Sequence, residues 1–205
     1  MSPFPITTMA DGRRTVVGGV LVSTDGPPLH VEIDPRLEYL GATELVIKGV
    51  ALAERHHWVE ARDGAVRRLL VMQFEGWLPS NDERYDYPLP DPVELGGETY
   101  GRWTFGYRVS ESTSPETADT VRFLAERGLA LADEQLMARY ARIIGDDARR
   151  ELLVFHHEPV SRLGHSLASL TDGRALRPEY ASIGTELHAR ARRAFRILPA
   201  VRVRL

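Results

Sequence analysis

Strand-like runs outnumber helical ones along this chain and are mostly hairpin-connected, which predicts an α+β protein. Its core would be a mainly antiparallel curved sheet or barrel with one inserted helix and a C-terminal helix. Three observations carry this expectation. Runs rich in β-branched and aromatic residues are punctuated by turn signals at 25–28, 63–64 and 94–98. Helical spacing is clear in only two places, one opening at Ser114-Pro115 and one over residues 179–198. The strand-like runs around residues 54–78 mix polar with apolar side chains on both faces, as a wall with one side on a partly polar cavity would.

In order, residues 1–12 read as a flexible leader, and residues 13–205 as a single α+β barrel-like domain. Residues 15–23 form a β-rich run softened by Gly18-Gly19. Asp25-Gly26-Pro27-Pro28 is a turn, and LHVEID at 29–34 alternates as its hairpin partner. Residues 35–43 connect to a long strand at 45–61, bent or bulged at Gly49. The next strand is 66–78, followed by a loop rich in Pro and Tyr to residue 90. YGRWTFGYRV at 100–109 is a strand. Ser114 caps a helix with Pro115 in its first turn, and Gly128 stops it. Residues 137–144 fit either a helix capped by Asp133 or a strand paired with 151–160 across Gly145-Asp146-Asp147. Residues 161–178 are loop-rich. The final helix would bury Ala181, Gly184, Leu187, Ala191, Ala194, Phe195 and Leu198 and expose Arg190, Arg192, Arg193 and Arg196. Lipocalin-like and helix-grip-like arrangements both suit this order of elements.

Asp63-Gly64 demands positive φ twice and marks a two-residue hairpin turn. Counting back from it pairs Glu60 with Arg67, Trp58 with Leu69, His56 with Val71 and Glu54 with Gln73. One face then carries Glu54, His56, Trp58, Leu69, Val71, Gln73, Glu75 and Trp77. The other carries Arg55, His57, Val59, Leu70, Met72 and Phe74. A one-residue slip would exchange the faces of one strand relative to its partner.

At 205 residues with a net charge of −3 the chain can build its own core, and bulk electrostatics gives no reason to expect nucleic acid or a membrane surface as partner. The absence of cysteine excludes disulfides, thiolate catalysis and iron–sulfur clusters. The N-terminus has no basic region followed by an apolar core, so a cytoplasmic location is expected. Lys48 is the only lysine, an arginine bias that suits a high-GC bacterial genome. No phosphate-binding glycine loop, dinucleotide fingerprint or paired-histidine metal helix is present.

The tract QFEGWLPSNDERYDYP at 73–88 resembles a QFExxLPSNxxxYDYP-type pattern of small bacterial proteins of unassigned function. That resemblance covers the central part of the chain and implies no activity, cofactor or catalytic residue.

Chemistry is therefore sought in the polar residues inside apolar strands. His56-His57 and His156-His157 each send one imidazole to each face of a strand. Histidine suits proton transfer near neutral pH, and a carboxylate can fix its tautomer. The expected catalytic residues are His57, His157 and Glu75. The expected ligand-binding residues are His56, Gln73, Trp77, Tyr85, Tyr87, Trp103 and His156. On the register above, His57 lies opposite Gln73 and Glu75, so a bulge is needed to gather them; otherwise His56 joins Gln73 and Glu75. The function expected is binding of a bulky, largely apolar small molecule, with cofactor-independent acid–base chemistry of isomerase or cyclase type. A non-enzymatic carrier or sensor is the alternative, and a haem or divalent-metal protein using histidine is a third. Neither a cofactor nor a metal is expected in the leading case. Expected partners are a small-molecule ligand and at most a second copy in a homodimer.

Overall fold

The computed structural model describes residues 13–199 and the pair Thr7–Thr8. The leader expected at 1–12 otherwise lies outside the described residues. Thr7–Thr8 form β1 and pair with Val16 and Thr15. Beside β1 lie β2 (Arg14–Val17), β3 (Val20–Ser23) and β4 (Leu29–Ile33), and β14 (Phe195–Pro199) completes a five-stranded sheet in the order β1-β2-β3-β4-β14. Residues 15–23 are thus a hairpin, not one softened strand. Gly18 and Gly19 both have positive φ and make its turn.

The second sheet has seven strands: β5 (Glu38–Ile47), β6 (Ala51–Arg62), β7 (Ala65–Trp77), β8 (Val93–Leu95), β9 (Glu98–Arg108), β10 (Glu134–Ile144) and β11 (Arg150–Pro159). Their order is β5-β6-β7-β11-β10-β9-β8, and the ladders are antiparallel. The α+β expectation with a mainly antiparallel sheet is met. With β5 at one end and β8 at the other, the sheet is open and not closed into a barrel. Residues 137–144 are strand, paired with β11 from Ile144–Arg150 onward. Gly49 is not a bulge in a single long strand. Lys48 and Gly49 both have positive φ and turn β5 back on β6, so residues 38–47, expected as connection up to 43 and as part of one long strand from 45, are the sheet's edge strand.

The Asp63-Gly64 turn forms as expected, with Arg62 opposite Ala65. The register beyond it differs. Ala61 pairs with Val66 but Glu60 with Arg68, so Arg67 is an extra residue on β7. Trp58 then faces Leu70, His56 faces Met72 and Glu54 faces Phe74. The physical reason is visible on both sides. Arg68 gains ion pairs to Glu60 and Asp34. The bulge also aligns Trp58, Leu70, Met72 and Phe74 on one face, where all four are buried.

That face is the main core. It packs on Val16, Leu21, Val31 and Ile33 of the five-stranded sheet and on Leu187 and Ala191 of α3 (Ala181–Ala194). Between β11 and α3 lie α2 (Leu167–Leu170) and the small hairpin β12 (Thr171–Asp172)–β13 (Ala175–Leu176). The final helix is shorter than its apolar spacing suggests. Phe195 turns extended, and β14 pairs with β4 because Phe195 and Ile197, two apart, bury against the core. Ala181 is exposed, and Arg190 is not free in solvent but paired with Glu158.

The opposite face of the seven-stranded sheet is covered in part by α1 (Pro115–Ala125). Ser114 accepts the Thr117 N–H at 3.3 Å as its cap. Leu124 joins Val59, Val66, Leu69 and Val71 in a second, smaller core. Gly128, with positive φ, ends the turn that follows the helix. Among the described residues, no helix is long and apolar enough to cross a membrane.

Candidate functional site

Where α1 stops covering the sheet, a cavity of about 840 Å³ opens over β6, β7, β11, β10 and β9. Strand parity decides what enters it. Arg55 pairs with Gln73, Gln73 with Leu153, and Glu75 with Glu151, so these side chains share a face. Arg139, Phe105, Tyr107 and His157 also line the cavity, as do the first residues of α1.

The floor is organised by two carboxylates in direct register. Glu75 on β7 and Glu151 on β11 stand opposite each other, and Glu151 is buried. Cross-strand neighbours have Cβ atoms roughly 5 Å apart, so like charges there repel. The loop after β7 supplies a phenol to each. The Tyr85 hydroxyl donates to Glu75 at 2.8 Å and the Tyr87 hydroxyl to Glu151 at 2.6 Å. Arg149 anchors that loop by donating to the Leu78 carbonyl at 3.1 Å and to the Asn81 carbonyl. Gln73 donates to Glu75 at 2.6 Å and accepts from Arg55 Nε at 2.9 Å, while Arg55 Nη1 donates to Asp119 of α1 at 3.0 Å. A polar chain thus runs from the helix to the carboxylate pair.

Burial pushes the Glu151 carboxyl up to about 7, and the neighbouring Glu75 charge adds to the rise against the opposing pull of Tyr87 and Arg139. Glu75 is also raised, chiefly by burial, although hydrogen bonds from Tyr85 and Gln73 favour its charged form. Tyr85 and Tyr87 are pushed further up by burial and by the carboxylates they contact, so they remain donors. A pair of this kind holds a proton near neutral pH and can give or take one.

The expected site residues divide between two faces. Glu75, Gln73, Trp77 and His157 border the cavity. His157 accepts from or donates to the Tyr107 hydroxyl through Nδ1 at 3.0 Å, and burial draws its pKa down to about 3. It is therefore neutral over the working range and is a weak base. Tyr85 and Tyr87 lie behind the carboxylates, with Tyr85 stacked on Trp77 at 5.0 Å. Trp103 stands beside Tyr87 and under Arg139.

The bulge does bring His57 to the face of Gln73 and Glu75, but α1 seals it there. Its ring lies 4.6 Å from Phe123, it is fully buried, and neither nitrogen has a hydrogen-bond partner among the described residues. Burial, then the Arg55 charge, holds it well below its ordinary value. A proton-transfer role for His57 has no route to a ligand.

His56 and His156 point into the main core instead. His56 Nε2 meets Glu54 at 2.7 Å and its Nδ1 meets the Tyr39 hydroxyl at 3.0 Å, while Arg14 also pairs with Glu54. His156 Nε2 meets Glu158 at 2.9 Å, and Arg190 pairs with the same carboxylate. Both histidines are removed from the cavity by the parity of their strands. Among the described residues, no group of three or more His, Cys, Asp or Glu could hold a metal ion.

Glu151, Arg55 and Arg139 are cavity residues not singled out from the sequence. Glu151 has the same strand parity as His157, and Arg55 the same as His57, so laying out complete strand faces would have found both. Neither a protein-family model, nor a curated protein, nor a solved structure matches this chain.

Proposed function

We propose that the cavity binds a bulky, largely apolar small molecule and performs cofactor-independent acid–base chemistry on it, of isomerase or cyclase type. The observation that carries this reading is the Glu75–Glu151 pair, in register at the cavity floor and clamped by Tyr85 and Tyr87. Glu151 is the proton donor or acceptor, and Glu75 is the partner whose charge sets its basicity. Gln73 orients Glu75 and links it to Arg55. His157 and Tyr107 offer neutral hydrogen bonds to the ligand. The volume lies within the range of small-molecule sites, and Phe105, Met137, Leu153 and Phe155 supply apolar wall. An open sheet with α1 laid on one face supports the helix-grip-like arrangement over the lipocalin-like one.

The test uses whatever small molecule native mass spectrometry finds bound to freshly purified protein. That molecule is incubated with protein in deuterium oxide. Acid–base chemistry at carbon is expected to put deuterium into the ligand or its product, and Glu151→Gln or Glu75→Gln to abolish the incorporation while the ligand still binds. A ligand that binds the wild-type protein and is recovered without deuterium or rearrangement supports the carrier reading instead.

A further inference from the structure

We propose that Arg139 and Arg174 form an anion subsite in the cavity, so that the ligand is an aryl or similarly bulky carboxylate. This deepens the reading of the cavity as a ligand site and rests on it. Lys48 and four arginines border the cavity, and the arginines fall into two groups. Arg55 is occupied by Asp119 and Gln73, and Arg108 by Glu134 and Glu111. The side chains of Arg139 and Arg174 have no hydrogen bond or ion pair among the described residues. Each is held by an aromatic ring of β9. The Arg139 guanidinium carbon lies 4.9 Å from the Trp103 centroid, and that of Arg174 lies 5.4 Å from the Phe105 centroid. Stacking fixes the plane of a guanidinium and leaves its edge for a planar acceptor.

Arg139 is the stronger member. It sits in the middle of the sheet, between Trp103 of β9 and Phe155 of β11, and its Nε is buried without an acceptor. A buried N–H of a charged group is rarely left so unless a ligand or water meets it. The carboxylates facing the same space do not serve. Glu116 accepts from Ser114 at 2.6 Å, and Glu75 and Glu151 act on Arg139 only through space, with no direct hydrogen bond or ion pair to it among the described residues. The Glu75–Glu151 pair keeps a proton near neutral pH, which lowers the negative charge available to balance Arg139. A ligand carboxylate supplies the missing acceptor. The apolar wall of Phe105, Met137, Leu153 and Phe155 takes the rest of the molecule, and Arg174, exposed at the entrance, attracts the same charge.

The probes are 2-naphthoate and 2-naphthamide, equal in shape and unequal in charge, titrated into the protein at pH 6.5 by calorimetry. Naphthoate is expected to bind at least about tenfold more tightly. Arg139→Gln should remove that advantage and leave naphthamide binding unchanged, while Arg139→Lys should retain part of it. Arg174→Gln, at an exposed position that puts no folding at risk, should weaken naphthoate by a smaller factor, roughly threefold. Naphthamide binding as tightly as naphthoate overturns the anion subsite and leaves the cavity reading standing. Naphthoate binding that survives both glutamine substitutions does the same. Binding of neither probe to folded protein overturns the aryl carboxylate together with the cavity reading.

Discussion

A carboxyl group that holds its proton more firmly in the folded protein than in the unfolded chain leaves a sign in the pH dependence of stability. Glu151 rises from an ordinary 4.5 to about 7. Between those values the folded state binds the extra proton, so this residue's contribution is fully present below about pH 4.5 and is lost as pH rises to about 7. Glu151→Gln removes the charged form altogether. It is expected to leave stability little changed at pH 4.5 and to raise it by on the order of 2–3 kcal/mol at pH 8 in urea denaturation. A variant less stable than wild type at pH 8 would show that the ionised carboxylate is well accommodated. Tyr87→Phe should push Glu151 higher still, because the lost hydrogen bond favours the ionised form. At this scale the sequence was partly legible. Gln73, Glu75 and His157 stood out as polar groups within apolar runs. Glu151 did not, because it begins its strand next to a turn, where a polar residue has a local explanation. His57 stood out for its chemistry, but its chemistry says nothing of the Phe123 ring that covers it.

Elements show the same division between local and distant causes. The Asp63-Gly64 turn follows from φ alone and is readable in two residues. The bulge at Arg67 is chosen by Asp34 and by the burial of Leu70, Met72 and Phe74, information spread over the whole sheet. Deleting Arg67 removes only the extra residue, so Val66 and Arg68 alternate regularly and Gln73 and Glu75 keep the cavity face. The deleted chain is expected to keep a cooperative unfolding transition close to that of the wild type, and loss of that transition would show that the bulge itself is needed to hold the register. Gly18-Gly19 and Lys48-Gly49 were open to reading as irregularities within strands because a glycine can serve bulge or turn equally. Only the partner strand decides. On α3, Leu187 is fully buried, and Leu187→Ala is expected to cost about 2–5 kcal/mol in chemical denaturation. A change near zero would mean that the helix is not docked on the sheet.

Over the whole molecule, one sheet presents two differently used faces. The dry face is fastened to the five-stranded sheet by Arg14, which pairs with Glu54 while Glu54 also accepts from His56. Glu54→Ala would leave Arg14 and His56 buried without their acceptor, at an expected cost of about 3–5 kcal/mol in the same assay. A much smaller cost would indicate that water or a neighbour replaces the carboxylate. Glu54 and Glu158 are held below their ordinary values against the upward push of burial, by His56 and Arg14 in one case and by His156 and Arg190 in the other. Their contributions are present above about pH 4.5 and are lost as pH falls through the folded values. Burial lowers His157 to about 3 and His188 to about 4, so the unfolded chain takes up protons there below 6.5 and stability falls with acidification. The Glu75–Glu151 pair on the wet face runs the other way, gaining from protonation. The most direct measurement of that difference is a carbon-13 carboxyl NMR titration of the glutamates, with Glu151 assigned through Glu151→Gln. A midpoint for Glu151 at about 7, falling when Glu75→Gln removes the like charge, is the expected result; a midpoint near 4.5 that Glu75→Gln leaves unmoved would contradict a proton-holding pair in the cavity.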